Sequence, residues 1–241
     1  MERKDFLRGI GLLGLGGLVI PTISSCNNDD PSTGNNSNNQ NNDDCGVSPT
    51  ETAGPFPTHT PSSLVTNDIR SDRTGVLLTV GITVENANQD DALLADAIVD
   101  IWHCDREGNY SEYGGTGMQN TDYTAVHFLR GRQTTNSIGQ VSFTTIFPGW
   151  YSGRATHIHV HVYNASGNSL LITQIAFPEG SNSAVATVNA SSANGYTKGM
   201  SGYTYNASDN VFSDGAECQI ADISGSIANG YVLESTIKVS I

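Results

Sequence analysis

From Gly75 onward the apolar positions keep returning at every second residue, as in Leu78, Val80, Ile82 and Val84, and again along Val141, Phe143 and Thr145. A period of two marks strands with one face in a core and the other outside it. The same reading predicts strands over 97–102, 157–163, 170–177 and 231–239, separated by stretches rich in Gly, Asn, Ser and Pro. One short helix is expected within 183–192. The spacing of these segments predicts a mainly β chain, a β-sandwich core with long loops and little helix. No internal repeat is visible.

Composition narrows this further. Only 15% of the residues are charged and 26 of 241 are glycine, which excludes coiled coils and helical bundles. The 24 acidic and 11 basic side chains give a formal charge of -13. A polyanionic partner is repelled by such a surface, so no nucleic acid is expected to bind.

The alternating pattern does not reach the head of the chain. Arg3, Lys4 and Arg8 are followed by an apolar run from Gly9 to Ile20 and then by Ile23-Ser24-Ser25-Cys26. The run is too short and glycine-rich for a membrane span of about 20 apolar residues, and the order basic, apolar, small reads as a cleaved signal. Ile-Ser-Ser-Cys resembles a bacterial lipobox, which implies that residues 1–25 are a lipoprotein signal peptide and that Cys26 is lipidated. Removing 1–25 leaves 8 basic and 22 acidic residues, a charge of -14. Arg3-Lys4-Asp5-Phe6-Leu7 also resembles a twin-arginine signal with lysine at the second arginine, so both that route and general secretion stay open. Residues 26–45 read as a disordered tether, because 27–44 hold eight Asn, four Asp and no apolar side chain but Pro31. The protein is therefore expected to be exported and anchored in a bacterial cell envelope through Cys26. Asp29 and Asp30 behind it hint at the outer face. The folded domain is expected over 46–241. Beyond Cys26 the cysteines are Cys45, Cys104 and Cys218, which in an oxidising compartment allow one disulfide with three possible pairings.

Candidate chemistry begins at His157-Ile158-His159-Val160-His161-Val162. Strand side chains alternate faces, so the three histidines point one way. They read either as metal ligands, since neutral imidazole is a common one, or as the polar face of a solvent-facing strand. A structural zinc site lacks its cysteines. Upstream lie Phe147-Pro148-Gly149-Trp150-Tyr151-Ser152-Gly153-Arg154 and, further back, Ile101-Trp102-His103-Cys104-Asp105-Arg106-Glu107-Gly108-Asn109-Tyr110.

In chain order these segments resemble the intradiol ring-cleavage dioxygenases, the family of catechol and protocatechuate dioxygenases, over roughly Glu51 to Phe177. Glu51-Thr52-Ala53-Gly54-Pro55-Phe56 resembles the family's entry segment, and a tyrosine eight residues after Trp102 gives Tyr110. Pro148-Gly149-Trp150-Tyr151 is similar to the second tyrosine motif, Arg154-x-x-His157-x-His159 to the histidine motif and Leu171-Ile172-Thr173-Gln174 to the glutamine strand. The resemblance implies that Tyr110, Tyr151, His157 and His159 hold a non-haem Fe(III). A hard ferric ion favours anionic oxygen, and coordination pulls a phenol far below its free pKa of ~10. His161, His59, His103 and His127 have no ligand counterpart and read as structural. Arg154 resembles the arginine that stabilises negative charge on the activated ring, and Gln174 the glutamine beside it. Trp150 reads equally as a pocket wall or a core aromatic.

The implied reaction takes a catechol-type diol and O2 to a muconate-type diacid, with Tyr151 as a built-in base. The chain also departs from the cytoplasmic enzymes. Five residues separate Tyr151 from His157, a shorter connection that implies a more open pocket, and no helical dimerisation segment precedes the core. With the export signal, this resembles an exported branch of the family. The resemblance also implies Cys45 and Cys104 as the disulfide, with Cys218 free. Two other readings remain: a non-catalytic surface β-sandwich binding module, and a different metalloenzyme built on the three-histidine strand.

Overall fold

The computed structural model describes residues 45–115 and 117–241. These lie in one compact unit. The expected signal peptide, the Cys26 anchor and the tether, apart from Cys45, lie outside the described residues.

The described residues form a mainly β structure of two sheets with little helix. The strands are β1 (Leu77–Asn86), β2 (Ala92–Leu93), β3 (Ile98–Trp102), β4 (Arg130–Thr134), β5 (Gln140–Ile146), β6 (His157–Tyr163), β7 (Ser169–Ala176), β8 (Asp222–Ser226) and β9 (Gly230–Val239). One sheet runs β2-β1-β9-β8, with β5 also pairing β1; the other runs β4-β3-β6-β7. The pairing of β1 with β9 is parallel, whereas β3, β4, β6 and β7 pair antiparallel.

The alternation predicts the core directly. Leu78, Val80, Ile82 and Val84 of β1 are buried in one cluster with Val99 and Ile101 of β3 and Ile158, Val160 and Val162 of β6. Each such side chain removed from water contributes about 1.5–3 kcal/mol. The expected helix is α1 (Ala184–Asn189), capped by the Ser183 hydroxyl, which accepts from the Ala186 amide.

Because Ile158, Val160 and Val162 fill the core, His157, His159 and His161 lie on the outer face of the four-stranded sheet. Register then orders that face into rows. Arg130, Trp102, His159 and Gln174 stand side by side across β4, β3, β6 and β7, and the next row is Arg132, Asp100, His161 and Ile172.

The disulfide expected between Cys45 and Cys104 is not formed: Cys45 pairs with Cys218, and Cys104 is a buried free thiol. The reason is where the chain passes. The amide of Ser48 donates to the carbonyl of Lys238, which lays the start of the domain along β9, while Ala176 bridges to Ile220. Cys45 and Cys218 so come to a Cα separation of 5.7 Å, inside the range a disulfide spans. Cys104 instead follows β3 into an apolar cluster with Phe56, Trp102 and Tyr110.

Candidate metal centre

Two segments cover the first row of the outer face. The entry segment is pinned by the Glu51 amide, which donates to the Ile172 carbonyl at 2.8 Å. It then crosses over His159 at Gly54. That residue has φ +70°, and a Cβ there would stand 3.0 Å from His159 Cε1, so only glycine lets the backbone lie this close. The second segment follows β3. The Asp105 carboxylate accepts from the amides of Glu107 and Asn109, forming a tight turn that delivers Tyr110.

Tyr110 is fully buried and held from several sides. The Gln119 side chain accepts from its amide at 2.6 Å and donates to its carbonyl at 2.8 Å. Phe56 stacks on its ring with centroids 4.8 Å apart. The buried Arg130 guanidinium donates to the carbonyls of Phe56 and Ser111 and to the Ser111 hydroxyl, tying both covering segments together.

The two histidines of the pair are fixed differently. His157 Nδ1 lies 2.7 Å from the Ala155 carbonyl oxygen, which can only accept. The proton therefore sits on Nδ1 and leaves the lone pair on Nε2. His159 is held by packing instead: its ring lies parallel to Trp102 at 4.8 Å, and its buried Nδ1 has no hydrogen-bond partner.

The donors converge. His157 Nε2 is 3.1 Å from His159 Nε2 and 3.2 Å from Tyr110 Oη. The Tyr151 ring lies edge-on, its centroid 5.9 Å from both Tyr110 and His157. Arg154 adds a cation, with Nη1 3.4 Å from His157 Nε2 and 3.5 Å from Tyr151 Oη. Gln174 bridges outward, accepting from Arg154 Nη2 at 2.5 Å and donating to the Thr52 carbonyl at 2.8 Å.

Electrostatics keep the donors at the point of convergence neutral. Burial, reinforced by Arg154, lowers His157 to about 3. Burial also drives His159 well below its ordinary value, so both imidazoles are neutral and keep their lone pairs. The Tyr110 phenol is raised well above its usual range by burial, and Tyr151 is raised by burial against the pull of Arg154. Buried phenols ionise only if a positive charge enters the pocket, which is what a metal ion brings. His157 Nε2 thus offers its lone pair where Tyr110 Oη and His159 Nε2 meet, as a metal ligand would. The donors, two imidazoles and two phenols, suit iron.

The structure thus brings together Tyr110, Tyr151, His157, His159, Arg154 and Gln174. It leaves His161 apart: that ring stacks on Tyr163 at 3.9 Å, and its nitrogens bond the Tyr163 and Ser169 hydroxyls. Among the described residues no group of three or more His, Cys, Asp and Glu side chains is arranged to hold a metal, so the three histidines do not form a site of their own. His103 bonds Thr145, and His59 and His127 both reach Glu112. Trp150 belongs to the core, where its Nε1 donates to the Gly199 carbonyl. Sequence reasoning missed Arg130, Gln119 and Asp209, whose carboxylate grips Arg154. It used Trp102 only as a spacing marker. Sheet register is the signal that finds Arg130, since it sits opposite Trp102.

Comparison with known proteins completes the picture. A family model described as Dioxygenase matches residues 53–198. Among solved structures, an intradiol ring-cleavage dioxygenase from Tetranychus urticae is 28% identical, with a TM-score of 0.70 over 81% of this chain and 95% of that one. The dioxygenase domain of a dioxygenase carbohydrate-binding protein fusion from Streptomyces sp. SirexAA-E is 24% identical, with a TM-score of 0.56 over 81% and 99%. Hydroxyquinol 1,2-dioxygenase from Pseudomonas putida is 15% identical, with a TM-score of 0.55 over 80% and 66%. The last two show a shared fold alone. No curated protein matches the chain.

Proposed function

Since the chain belongs to the intradiol ring-cleavage dioxygenase family, we propose that it cleaves a catechol-type aromatic diol between its two oxygenated carbons. Both atoms of O2 enter the product, a muconate-type diacid. In this reading Tyr110, Tyr151, His157 and His159 hold a non-haem Fe(III), which when bound supplies Lewis acidity and the redox partner for the ring and O2.

The chain's own groups divide the remaining work. Tyr110 is fully buried and clamped by Gln119, Phe56 and the loop that Arg130 holds, so it stays where it is. Tyr151 is only partly buried, and among the described residues its hydroxyl has just the long contact to Arg154. It is therefore the tyrosine free to move and to take a proton at Oη from an incoming diol. Arg154 directs Nη1 at the same place, where a fixed cation in a dry pocket offsets negative charge growing on the ring. Gln174 holds the other guanidinium nitrogen away from that place. Trp102 and Phe56 keep water from the buried side of the site.

The observation that carries this reading is the meeting of His157 Nε2, His159 Nε2 and Tyr110 Oη beside Tyr151 and Arg154. The test is incubation of the iron-loaded protein with catechol and with protocatechuate under O2. One O2 should be consumed per diol, with formation of the ring-opened diacid, and catechol should be preferred because Arg154 is already committed to the reacting ring. Oxidation to quinone, or no O2 uptake, would refute the proposal.

We further propose that Cys26 is lipidated and that the protein is exported and anchored in the cell envelope, possible routes being twin-arginine and general secretion. The sequence order of the head supports this, as does the Cys45–Cys218 disulfide, since such bonds persist in oxidising compartments. Cys26→Ala should release the exported protein from the membrane fraction. Retention of the exported variant in that fraction would count against the anchor.

A further inference from the structure

Arg154 has three guanidinium nitrogens, and the structure gives each a different task. Nε donates to both carboxylate oxygens of Asp209, at 2.9 and 2.8 Å. Nη2 donates to Gln174. Only Nη1 is left without a short hydrogen bond, and it is the one beside Tyr151 and His157. An arginine held at one end alone could rotate about its long side chain and present any of its N–H groups. Held at Nε and at Nη2, it presents Nη1.

Asp209 is itself built in. Its side chain is 0% exposed, against 7% for Arg154. Its oxygens also accept from the amides of Ala155 at 2.8 Å and Val211 at 2.9 Å. The loop that carries it is tied to the end of β7, where Asn206 Nδ2 donates to the Phe177 carbonyl and the Asn206 amide donates to Glu179. Ala155 matters in its own right, because its carbonyl orients His157. One carboxylate thus fixes both the arginine and the backbone between it and the first histidine. Asp209 lies beyond residues 53–198, the part of the chain that the family model matches.

We propose that Asp209 is a positioning residue that fixes the rotation of Arg154, so that Nη1 faces the reacting ring. It touches neither the ring nor the metal ligands' donor atoms and acts through Arg154. This inference rests on the dioxygenase reading above. Asp209→Asn keeps the shape but removes the charge and replaces one of the two accepting oxygens with an N–H group that faces N–H donors, so the grip on Arg154 weakens. The negative charge on the ring grows during reaction, so the loss should fall on kcat and spare KM.

The test compares full-length wild type, Asp209→Asn, Arg154→Ala, the double variant and Arg154→Lys, each with its iron content measured. Anaerobic titration with 4-nitrocatechol, followed by its absorption, gives an affinity independent of turnover. Asp209→Asn should keep its iron and its 4-nitrocatechol affinity while kcat falls about ten- to a hundredfold, the scale of a misplaced group. In the Arg154→Ala background it should cause no further loss. Arg154→Lys, which retains the charge but cannot be gripped at two nitrogens, should be comparably slow. Loss of iron in Asp209→Asn, an additive effect in the double variant, or wild-type turnover in Arg154→Lys would each overturn the inference. A wild type without iron or ring cleavage defeats the dioxygenase reading itself, whereas a normal Asp209→Asn beside a slow Arg154→Ala defeats only this one.

Discussion

The two adjacent rows on the outer sheet face use the same strands and nearly the same chemistry, yet they serve different ends. Arg130, Trp102, His159 and Gln174 form one row and are all buried. Arg132, Asp100, His161 and Ile172 form the other, and only Asp100 is buried. Each row has an arginine on β4 and a histidine on β6. The first is roofed by the entry segment and the Tyr110 loop, and the segment leading into β6 adds Tyr151 and Arg154 beside His157. The second has no such roof: Arg132 pairs with Asp100, and His161 stacks on Tyr163. A histidine on this strand becomes a candidate ligand through what covers it, and strand position alone does not decide the matter.

The comparison breaks most sharply at the histidines. His159→Ala should abolish metal retention and turnover, while His161→Ala should keep both; elemental analysis of the two purified variants decides it, and equal metal loss would show that the rows are not distinct. The same contrast of clamped and loose groups applies to the tyrosines. Tyr151→Phe should keep iron and part of its colour but lose roughly 10²- to 10⁴-fold in turnover, the usual contribution of a general base. Tyr110→Phe should instead weaken ferric binding, read as iron lost to a chelator.

Smaller effects test the arginines and the roof. Arg130 serves Phe56 O, Thr58 Oγ1, Ser111 Oγ and Ser111 O, more acceptors than a lysine can reach. Arg130→Lys should therefore cost about 1–3 kcal/mol for each buried acceptor left without a donor. Arg132→Lys can keep an ion pair at a wetter position and should cost less than about 1 kcal/mol by urea denaturation. Gly54→Ala should cost about 1–2 kcal/mol for a side chain at positive φ and should also push on the His159 ring. Gly153, at φ +86° with nothing near its missing Cβ, supplies the control: Gly153→Ala should show the backbone cost without weakening metal binding.

Much of the sandwich is legible in the sequence where strands alternate, as in β1, β6 and β9. β4 is not, because its inward positions are Gly131, where a Cβ would meet Ile69 Cγ2 at 2.4 Å, and Gln133, so the core side of that strand carries no apolar side chain. β8 escapes for another reason: Asp222, Ser224 and Gly225 are exposed, and no residue of the strand is fully buried. In the site, spacing alone shows that Tyr151 and Arg154 lie within a few residues of His157 and His159, while the family resemblance is what implies their roles. Asp209 is not legible, because it meets Arg154 across 55 positions of chain. The cysteine pairing fails for the same cause, since Cys45 and Cys218 lie 173 apart and meet only through the packing of the domain's first residues along β9.

The ferric centre proposed for Tyr110, Tyr151, His157 and His159 can be tested directly. The most direct measurement is the iron content and visible absorption of the purified protein, before and after incubation with ferric ion. About one iron per chain and a visible band from phenolate bound to Fe(III) are expected. A colourless protein that takes up no iron would contradict the proposal.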